Sequence, residues 1–164
     1  MCEEEINAWI IDRIPEGWFT GPPEVDCDGD EILVVGPLDG RLDDVGHPAE
    51  SGVARIQRFR EATRDQRMRV AQEAERRFGR RVSWGASVGS ERRVFTTLSI
   101  PVMTRLRLPE RQVLDTLVGA GVARSRSDAL AWCVRLVGKH EADWIAELRE
   151  ALVKVGELRR KGPA

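Results

Sequence analysis

The stretch EVDCDGDEILVVG, residues 24–36, predicts a β-hairpin and with it the fold class of the first part of the chain. Asp28 and Gly29 form a strong two-residue turn signal between two strand-like segments. The carboxylates around this turn have the composition of a calcium-binding loop. However, the glycine stands at the fourth position instead of the sixth, and Pro37 takes the place of the chelating glutamate. The sequence therefore predicts a hairpin here and no metal site.

The segments on either side of this hairpin carry helical patterns. Residues 6–14 place apolar side chains at spacings of three and four, which predicts a short helix that stops before Pro15. Residues 37–50 are rich in proline, glycine and acids, and we expect a loop or linker. From about Glu50 to Phe78 there is no proline and the apolar residues recur at helical spacing, so we expect one long helix.

A second alternating pattern follows the long helix. Residues 81–88 and 94–100 alternate apolar and polar side chains around a turn at residues 89–92, which predicts a second hairpin. Two hairpins that flank a long helix give an α+β fold. We therefore expect a compact ββαββ-like unit over residues 1–100.

The predicted long helix carries a stripe of like charge. Arg60, Arg64 and Arg67 stand at i, i+4 and i+7, so their repulsion costs helix stability unless an anion or acidic residues balance it. One interpretation is a phosphate or nucleotide contact, which makes these three residues a candidate anion-binding set. The other is a solvated face that packs against the acidic first third of the chain.

The charge of the chain is divided unevenly. Residues 1–50 hold 14 acidic and two basic residues, whereas residues 51–164 hold 13 acidic and 24 basic residues, although the net charge of the 164-residue chain is only -1. An acidic segment ahead of a basic body indicates binding of a polyanion. Arginine supplies nearly all of the positive charge, and its guanidinium can bind phosphate groups or guanine edges through two hydrogen bonds at once.

Several classes of protein do not fit the sequence. No apolar run approaches the roughly 18 residues of a membrane-spanning helix, and the N-terminus is acidic where a secretory signal would be basic, so we expect a cytoplasmic protein with no membrane partner. The three cysteines lie too far apart in sequence to suggest a disulfide framework or a zinc site. Because no P-loop, dinucleotide fingerprint or GxSxG motif is present, and His47 and His140 have no evident catalytic or metal-binding partners, we expect neither an enzyme nor a cofactor.

The second part of the chain begins with another alternating segment. Residues 103–108 alternate and end at Pro109, a residue favoured in the first turn of a helix. An amphipathic helix over residues 109–118 follows, and Ser125 opens a capping box for a second helix. We therefore expect a strand, a helix, a turn and a helix over residues 101–138, or else a strand that extends the preceding sheet.

This arrangement resembles the MetJ/Arc-type ribbon-helix-helix family of DNA-binding proteins. The resemblance rests on RLRLPE at residues 105–110, on Gly121 and on SRSDAL at residues 125–130, and it covers residues 102–138. It implies a homodimer in which two chains pair their strands as an antiparallel ribbon, and this ribbon enters the major groove of double-stranded DNA.

The resemblance also implies roles for individual residues. Leu106 and Leu108 face the core, and the opposite side of the strand faces the bases. The side chains implied to read bases are Met103, Arg105 and Arg107. A helix start attracts phosphate, so the beginning of the second helix is implied to hold the DNA backbone. The residues implied to bind phosphate there are Ser125, Arg126 and Ser127.

The last part of the chain, residues 139–164, contains an amphipathic pattern over residues 141–161 that predicts a further helix. Its apolar stripe packs on its own chain, or it forms a dimer or captures a protein partner, as in antitoxins of the family named above. Together these patterns predict a homodimeric, sequence-specific DNA-binding transcriptional regulator. The alternative is an antitoxin-like or scaffold protein whose main role is to bind another protein.

Overall fold

A computed structural model of the chain describes residues 3–39 and 51–162. Residues 40–50, which make up most of the predicted linker, lie outside this description. The chain divides into two compact units, Met1–Pro101 and Val102–Ala164. Over the described ranges, no helix is both long enough and apolar enough to cross a membrane.

The first unit combines three helices with one four-stranded sheet. Its elements, in chain order, are α1 (Glu3–Arg13), β1 (Glu24–Cys27), β2 (Glu31–Pro37), α2 (Gly52–Ala62), α3 (Arg64–Phe78), β3 (Arg81–Val88) and β4 (Glu91–Val94). The hairpin predicted over residues 24–36 is confirmed, because β1 and β2 pair antiparallel. The α+β class is confirmed as well, but the two hairpins are joined into one mixed sheet of order β1-β2-β3-β4.

The parallel pair in the centre of the sheet positions the core. β2 and β3 run parallel, with Val34 opposite Trp84, and the crossover between them contains α2 and α3. Because alternate residues of a strand share a face, Ile32, Val34 and Trp84 all point to one side of the sheet. Side chains of α1 and α3 cover that side and complete the core: Ile6, Ile10, Val70, Ala74 and Phe78.

The prediction of one long helix is wrong, because Thr63 separates α2 from α3. The hydroxyl of Thr63 donates to the carbonyl oxygen of Phe59 at 2.7 Å, and the N–H of Thr63 donates to the same oxygen at 3.0 Å. Side-chain bonds of threonine to the preceding turn compete with regular helix geometry. Regular helix geometry is therefore interrupted at Thr63 before Arg64 begins the second helix.

The second hairpin also differs from its prediction. The turn contains only Gly89 and Ser90, with Gly89 at a φ of 56°, so β4 begins at Glu91 and ends at Val94 instead of covering residues 94–100. A glycine at positive φ permits such a tight two-residue turn. Phe95 then donates its N–H to the carbonyl of Trp84 and turns its ring towards α2 and α3.

The second unit is helical: α4 (Leu108–Gly119), α5 (Arg126–His140) and α6 (Ala142–Lys161). Its core is small and consists of Leu114, Ala123 and Ala129, with Leu106 among the half-buried side chains around them. The strand predicted at residues 103–108 does not form within the single chain. Residues 95–107 have no regular structure, and no strand of the described residues lies beside them to supply hydrogen bonds. Leu108, expected in the core, starts α4 and is 58% exposed.

Candidate nucleic-acid interface

The turn that joins α4 to α5 has a well-defined geometry. Gly121 adopts a φ of 74°, its N–H donates to the carbonyl of Val118, and the N–H of Val122 donates to the carbonyl of Leu117. This pair of hydrogen bonds is a Schellman motif, which ends a helix on a left-handed residue. The helix predicted over residues 109–118 is confirmed as α4, and the turn fixes where α5 begins.

The start of α5 is capped as the sequence predicts. Ser125 is the N-cap, and its hydroxyl accepts a hydrogen bond from the N–H of Asp128 at 3.2 Å. The Asp128 carboxylate in turn accepts from the N–H of Arg124 at 3.0 Å. The other N–H groups of the first turn have no partner within the helix, which is the arrangement that binds phosphate. Ser127 is exposed beside them. Residues 120–128 are called the α4–α5 corner below.

The guanidinium of Arg126, an implied phosphate ligand, is bound to Asp115 of α4. Nε and Nη2 of Arg126 each lie 2.7 Å from one oxygen of the Asp115 carboxylate. Such a bidentate pair is geometrically specific. The hydrogen bond from Arg126 and its positive charge hold the pKa of Asp115 below its usual range, and the same pair raises the pKa of Arg126. The structure thus places Arg126 in a bond between two helices.

Arg105 and Arg107 lie on an extended segment that is anchored to the helices; residues 105–107 are called the arginine segment below. Arg111 of α4 donates from Nη1 to the carbonyl oxygen of Leu106 at 2.8 Å. The side chain of Leu106 packs against the small core of the unit. Arg105 and Arg107 are exposed on either side of it, and no ion pair joins them to a carboxylate in the described part of the chain. Met103 is 95% exposed.

The same small core brings the arginine segment and the α4–α5 corner together. Leu106 and Ala123 contact one cluster, so Arg105 and Arg107 belong to the same packed body as Arg124. The Arg124 side chain is 96% exposed, with its Nε 3.8 Å from the Asp128 carboxylate. The unit therefore carries three exposed arginines, Arg105, Arg107 and Arg124, together with the start of a capped helix, and these groups can attract phosphate by charge and by hydrogen bonding.

The arginine stripe of the first unit is divided by burial. Arg60 and Arg64 are exposed, whereas Arg67 is buried against the ring of Phe95, whose centroid lies 4.8 Å from the guanidinium carbon. Burial lowers the pKa of Arg67 to about 10, and the charges of Arg60 and Arg64 act in the same direction. No carboxylate of the described residues forms an ion pair with any of the three.

The acidic residues near the N-terminus pair elsewhere. Glu5 of α1 forms an ion pair with Arg77 at 3.2 Å, and Glu24 of β1 forms one with Arg92 of β4. The acidic segment therefore contacts basic residues of its own unit, but these contacts do not involve the arginine stripe. Arg60 and Arg64 therefore remain candidate anion contacts, whereas the expected role of Arg67 is corrected, because its guanidinium is buried and bonded to Thr63 and to the Arg60 carbonyl.

The carboxylates of the first hairpin serve the turn. One oxygen of Asp28 accepts hydrogen bonds from the N–H groups of Asp30 and Glu31, both at 2.8 Å. These bonds hold the pKa of Asp28 below its usual range. No group of three or more histidine, cysteine or acidic residues could hold a metal ion within residues 3–39 and 51–162.

Sequence reasoning missed three residues of this surface: Arg111, Asp115 and Arg124. Arg124 directly precedes the capping box, so its position beside the helix start could have been recognised. The roles of Arg111 and Asp115 depend on how α4 packs, and no local pattern reports that.

Comparison with known proteins places the chain in a family. The model for the Rv1265-like protein, N-terminal domain, matches residues 4–94, and the model for the Mb1296 C-terminal domain matches residues 107–159. The chain is 55% identical over 155 residues to the protein Rv1265 of Mycobacterium tuberculosis and to the protein Mb1296 of Mycobacterium bovis. These matches cover 94% of this chain and 69% of each relative. No solved structure matches.

These matches correct the family assignment made from the sequence. The segment that resembled MetJ/Arc-type ribbon-helix-helix proteins is matched by the Mb1296 C-terminal domain instead, and no ribbon-helix-helix family matches. An alternating segment followed by two helices, the second of them capped, was too general a pattern to identify that family. The chain belongs to the Rv1265-like protein family, whose N-terminal and C-terminal domains it carries in order.

Proposed function

We propose that this chain binds double-stranded DNA as a homodimer and regulates transcription. The observation that carries the proposal is the arginine segment of the second unit. Arg105 and Arg107 are exposed and are held in place through Leu106, and they form no ion pair with a described carboxylate. Anchored arginines of this kind suit the phosphate backbone, which receives most protein–DNA hydrogen bonds.

The proposed contacts divide into two groups. Arg105, Arg107 and Arg124 supply positive charge, while the hydroxyl of Ser127 and the first N–H groups of α5 supply directed hydrogen bonds to a phosphate. The resemblance implied that Met103 reads bases from a two-stranded ribbon. Because that ribbon is not part of the proposal, Met103 is given no role in DNA binding. Arg126 is bound to Asp115 and contributes to DNA binding only through the position of α5.

Fluorescence anisotropy tests this proposal with the full chain and two labelled duplexes, one of random sequence and one from the region upstream of the gene. Affinity is measured over a series of salt concentrations. In a plot of the logarithm of the association constant against the logarithm of salt concentration, the slope becomes shallower by about 0.9 for each phosphate contact that is lost. We expect Arg105→Ala with Arg107→Ala to reduce this slope by roughly 2 on both duplexes.

Arg149→Ala is the matched control, because Arg149 is an exposed arginine on α6 of the same unit. We expect its salt slope to equal that of the unmodified chain. Absence of salt-dependent DNA binding by the unmodified chain would refute the proposal. An unchanged slope in the double variant would remove the arginine segment from the interface.

A second candidate function is protein binding, with an antitoxin-like or scaffold role. It is favoured by the apolar residues of α6 that remain exposed, among them Trp144 at 54% and Leu152 at 66%. The anisotropy experiment separates the two candidates. A well-folded chain without affinity for either duplex would favour the protein-binding role.

A further inference from the structure

Helix α6 carries an apolar stripe that its own chain leaves exposed. None of its residues is buried. The exposed apolar side chains on one side of the helix are Trp144, Leu148, Leu152, Val155 and Leu158, with Ile145 half-buried among them. At about 1.5 Å per residue, this 20-residue helix is about 30 Å long. A contiguous exposed apolar face of this kind marks an interaction surface.

The charges along α6 are separated into two halves. The first half holds three acids, Asp143, Glu147 and Glu150, and one base, Arg149. The second half holds one acid and four bases: Glu157, Lys154, Arg159, Arg160 and Lys161. Acids near the start of a helix and bases near its end interact favourably with the helix dipole. The same separation places opposite charges side by side when a second copy of the helix runs in the opposite direction.

We infer that α6 pairs in an antiparallel manner with α6 of a second copy of this chain. A two-fold axis between Ala151 and Leu152 pairs most of the stripe with itself, because residues whose numbers sum to about 303 then face each other. Leu148 faces Val155 of the second copy under this axis, and Ile145 faces Leu158. Self-complementary contacts of this kind are required of a two-fold interface.

The same axis also pairs opposite charges. Glu147 lies near Lys154 of the second copy, and Asp143 lies near Lys161, on the flank of the stripe. A parallel pair would instead place each acidic half against an acidic half. The charge separation therefore selects the antiparallel arrangement, and the apolar stripe supplies the burial that stabilises it.

This inference rests on the proposed homodimer, whose surface it identifies, but its test involves no DNA. Sedimentation velocity of the full chain at tens of micromolar measures the oligomeric state. We expect the unmodified chain to be a dimer and Leu152→Asp to be a monomer, because a charge at the axis is buried against its symmetry mate. Val153→Asp is the control. Val153 is also 59% exposed, but it is rotated about 100° from Leu152 around the helix axis and so points away from the apolar stripe.

Charge reversal at two positions tests the antiparallel direction. Glu147→Lys brings two lysines together at both symmetric contacts, and Lys154→Glu brings two glutamates together there. We expect each single variant to weaken the dimer about tenfold. An equimolar mixture of the two variants pairs lysine with glutamate at both contacts, so it is expected to regain the affinity of the unmodified chain. An effect on the helix dipole alone gives no such recovery.

Each result of these experiments decides the inference. A dimer that persists in Leu152→Asp, or a mixture that does not recover, overturns the α6 pairing while leaving DNA binding intact. A monomeric unmodified chain overturns the pairing and the proposed homodimer together. DNA binding is measured separately by anisotropy, so its failure is distinguishable from these outcomes. Circular dichroism confirms that the variants retain their helices.

Discussion

The guanidinium of Arg67 donates a hydrogen bond from Nε to the hydroxyl of Thr63, 2.9 Å away, at the point where α2 ends and α3 begins. Its Nη2 donates to the carbonyl oxygen of Arg60, one of the carbonyl groups at the end of α2 that lack a partner within the helix. The ring of Phe95 covers the guanidinium from the sheet side. One buried arginine of α3 therefore joins both helices across the break at Thr63.

This arrangement predicts that Arg67→Ala destabilises the chain by about 1 to 3 kcal/mol. The substitution leaves the Arg60 carbonyl unsatisfied and removes the contact of the cation with Phe95. Urea denaturation followed by circular dichroism measures the change. Arg64→Ala is the matched control, because Arg64 is exposed and its charge only adds to the repulsion on Arg67. We expect the control to be neutral or slightly stabilising, and equal losses in both variants would contradict this role of Arg67.

A second prediction concerns Gly36, a buried residue of β2. A Cβ atom at this position would overlap the ring of Phe19, which packs directly on the strand and lies against Phe59 at a centroid distance of 5.4 Å. Gly36→Ala therefore displaces an aromatic cluster, and we expect it to cost about 1 to 3 kcal/mol in the free energy of unfolding.

Gly29→Ala is the control for the Gly36 substitution. A Cβ atom at Gly29 meets no atom within 4 Å, and the φ angle of Gly29 is not positive. We expect this change to alter stability by less than about 0.5 kcal/mol. If the two alanine variants unfold at the same urea concentration, the ring of Phe19 is not what requires a glycine at position 36.

Local features of the fold could be predicted from the sequence, whereas features that depend on distant contacts could not. The side chains of Asp28 and Ser125 bond to their own neighbours, so the first hairpin and the cap of α5 were predicted correctly, although the turn contains residues 28–30 instead of Asp28-Gly29 alone. The parallel pairing of β2 with β3 brings together segments about 50 residues apart, and no local pattern encodes it. The break at Thr63 was missed for a different reason, because apolar spacing does not report the bond of its hydroxyl to the Phe59 carbonyl.

The candidate site shows the same division. Exposure of Arg105 and Arg107 followed from strand alternation, but alternation does not report whether a neighbouring strand is present, and within the single chain no strand forms there. The bond of Arg126 to Asp115 requires the Schellman turn to bring α5 back against α4. A basic residue next to a helix cap therefore suggested a phosphate ligand where the structure has an interhelical ion pair.

The cap of α5 gives a third prediction. Ser125→Ala removes the hydroxyl that accepts from the Asp128 N–H, and we expect a loss of about 1 kcal/mol in stability. Ser127→Ala, at an exposed position two residues later, is expected to change stability by less than about 0.5 kcal/mol. Thermal unfolding of both variants makes the comparison. A stable Ser125→Ala variant would show that the Asp128 side chain alone is sufficient to hold the α4–α5 corner.

The ion pair between Asp115 and Arg126 predicts a dependence of stability on pH. The pKa of Asp115 is lowered in the folded chain, first by the hydrogen bond from Arg126, so the folded state favours the ionised carboxylate. Its stabilising effect is fully present above the unfolded pKa of about 3.9 and is lost as the pH falls through the lower folded value. We expect Asp115→Asn to lack this loss, so the difference in melting temperature between it and the unmodified chain shrinks in acid.

The same ion pair gives a prediction for DNA binding at neutral pH. Asp115→Asn removes the charge that holds Arg126, so the guanidinium becomes available to a phosphate beside the start of α5. We expect tighter binding to the random-sequence duplex at low salt and a salt slope steeper by about 0.9, which corresponds to one added phosphate contact. Glu150→Gln on α6 removes the same charge away from the α4–α5 corner, at an exposed position, and serves as the control for net charge. Equal gains in both variants would mean that net charge alone raises the affinity, whereas a gain confined to Asp115→Asn identifies Arg126 as a cation that Asp115 withholds from DNA.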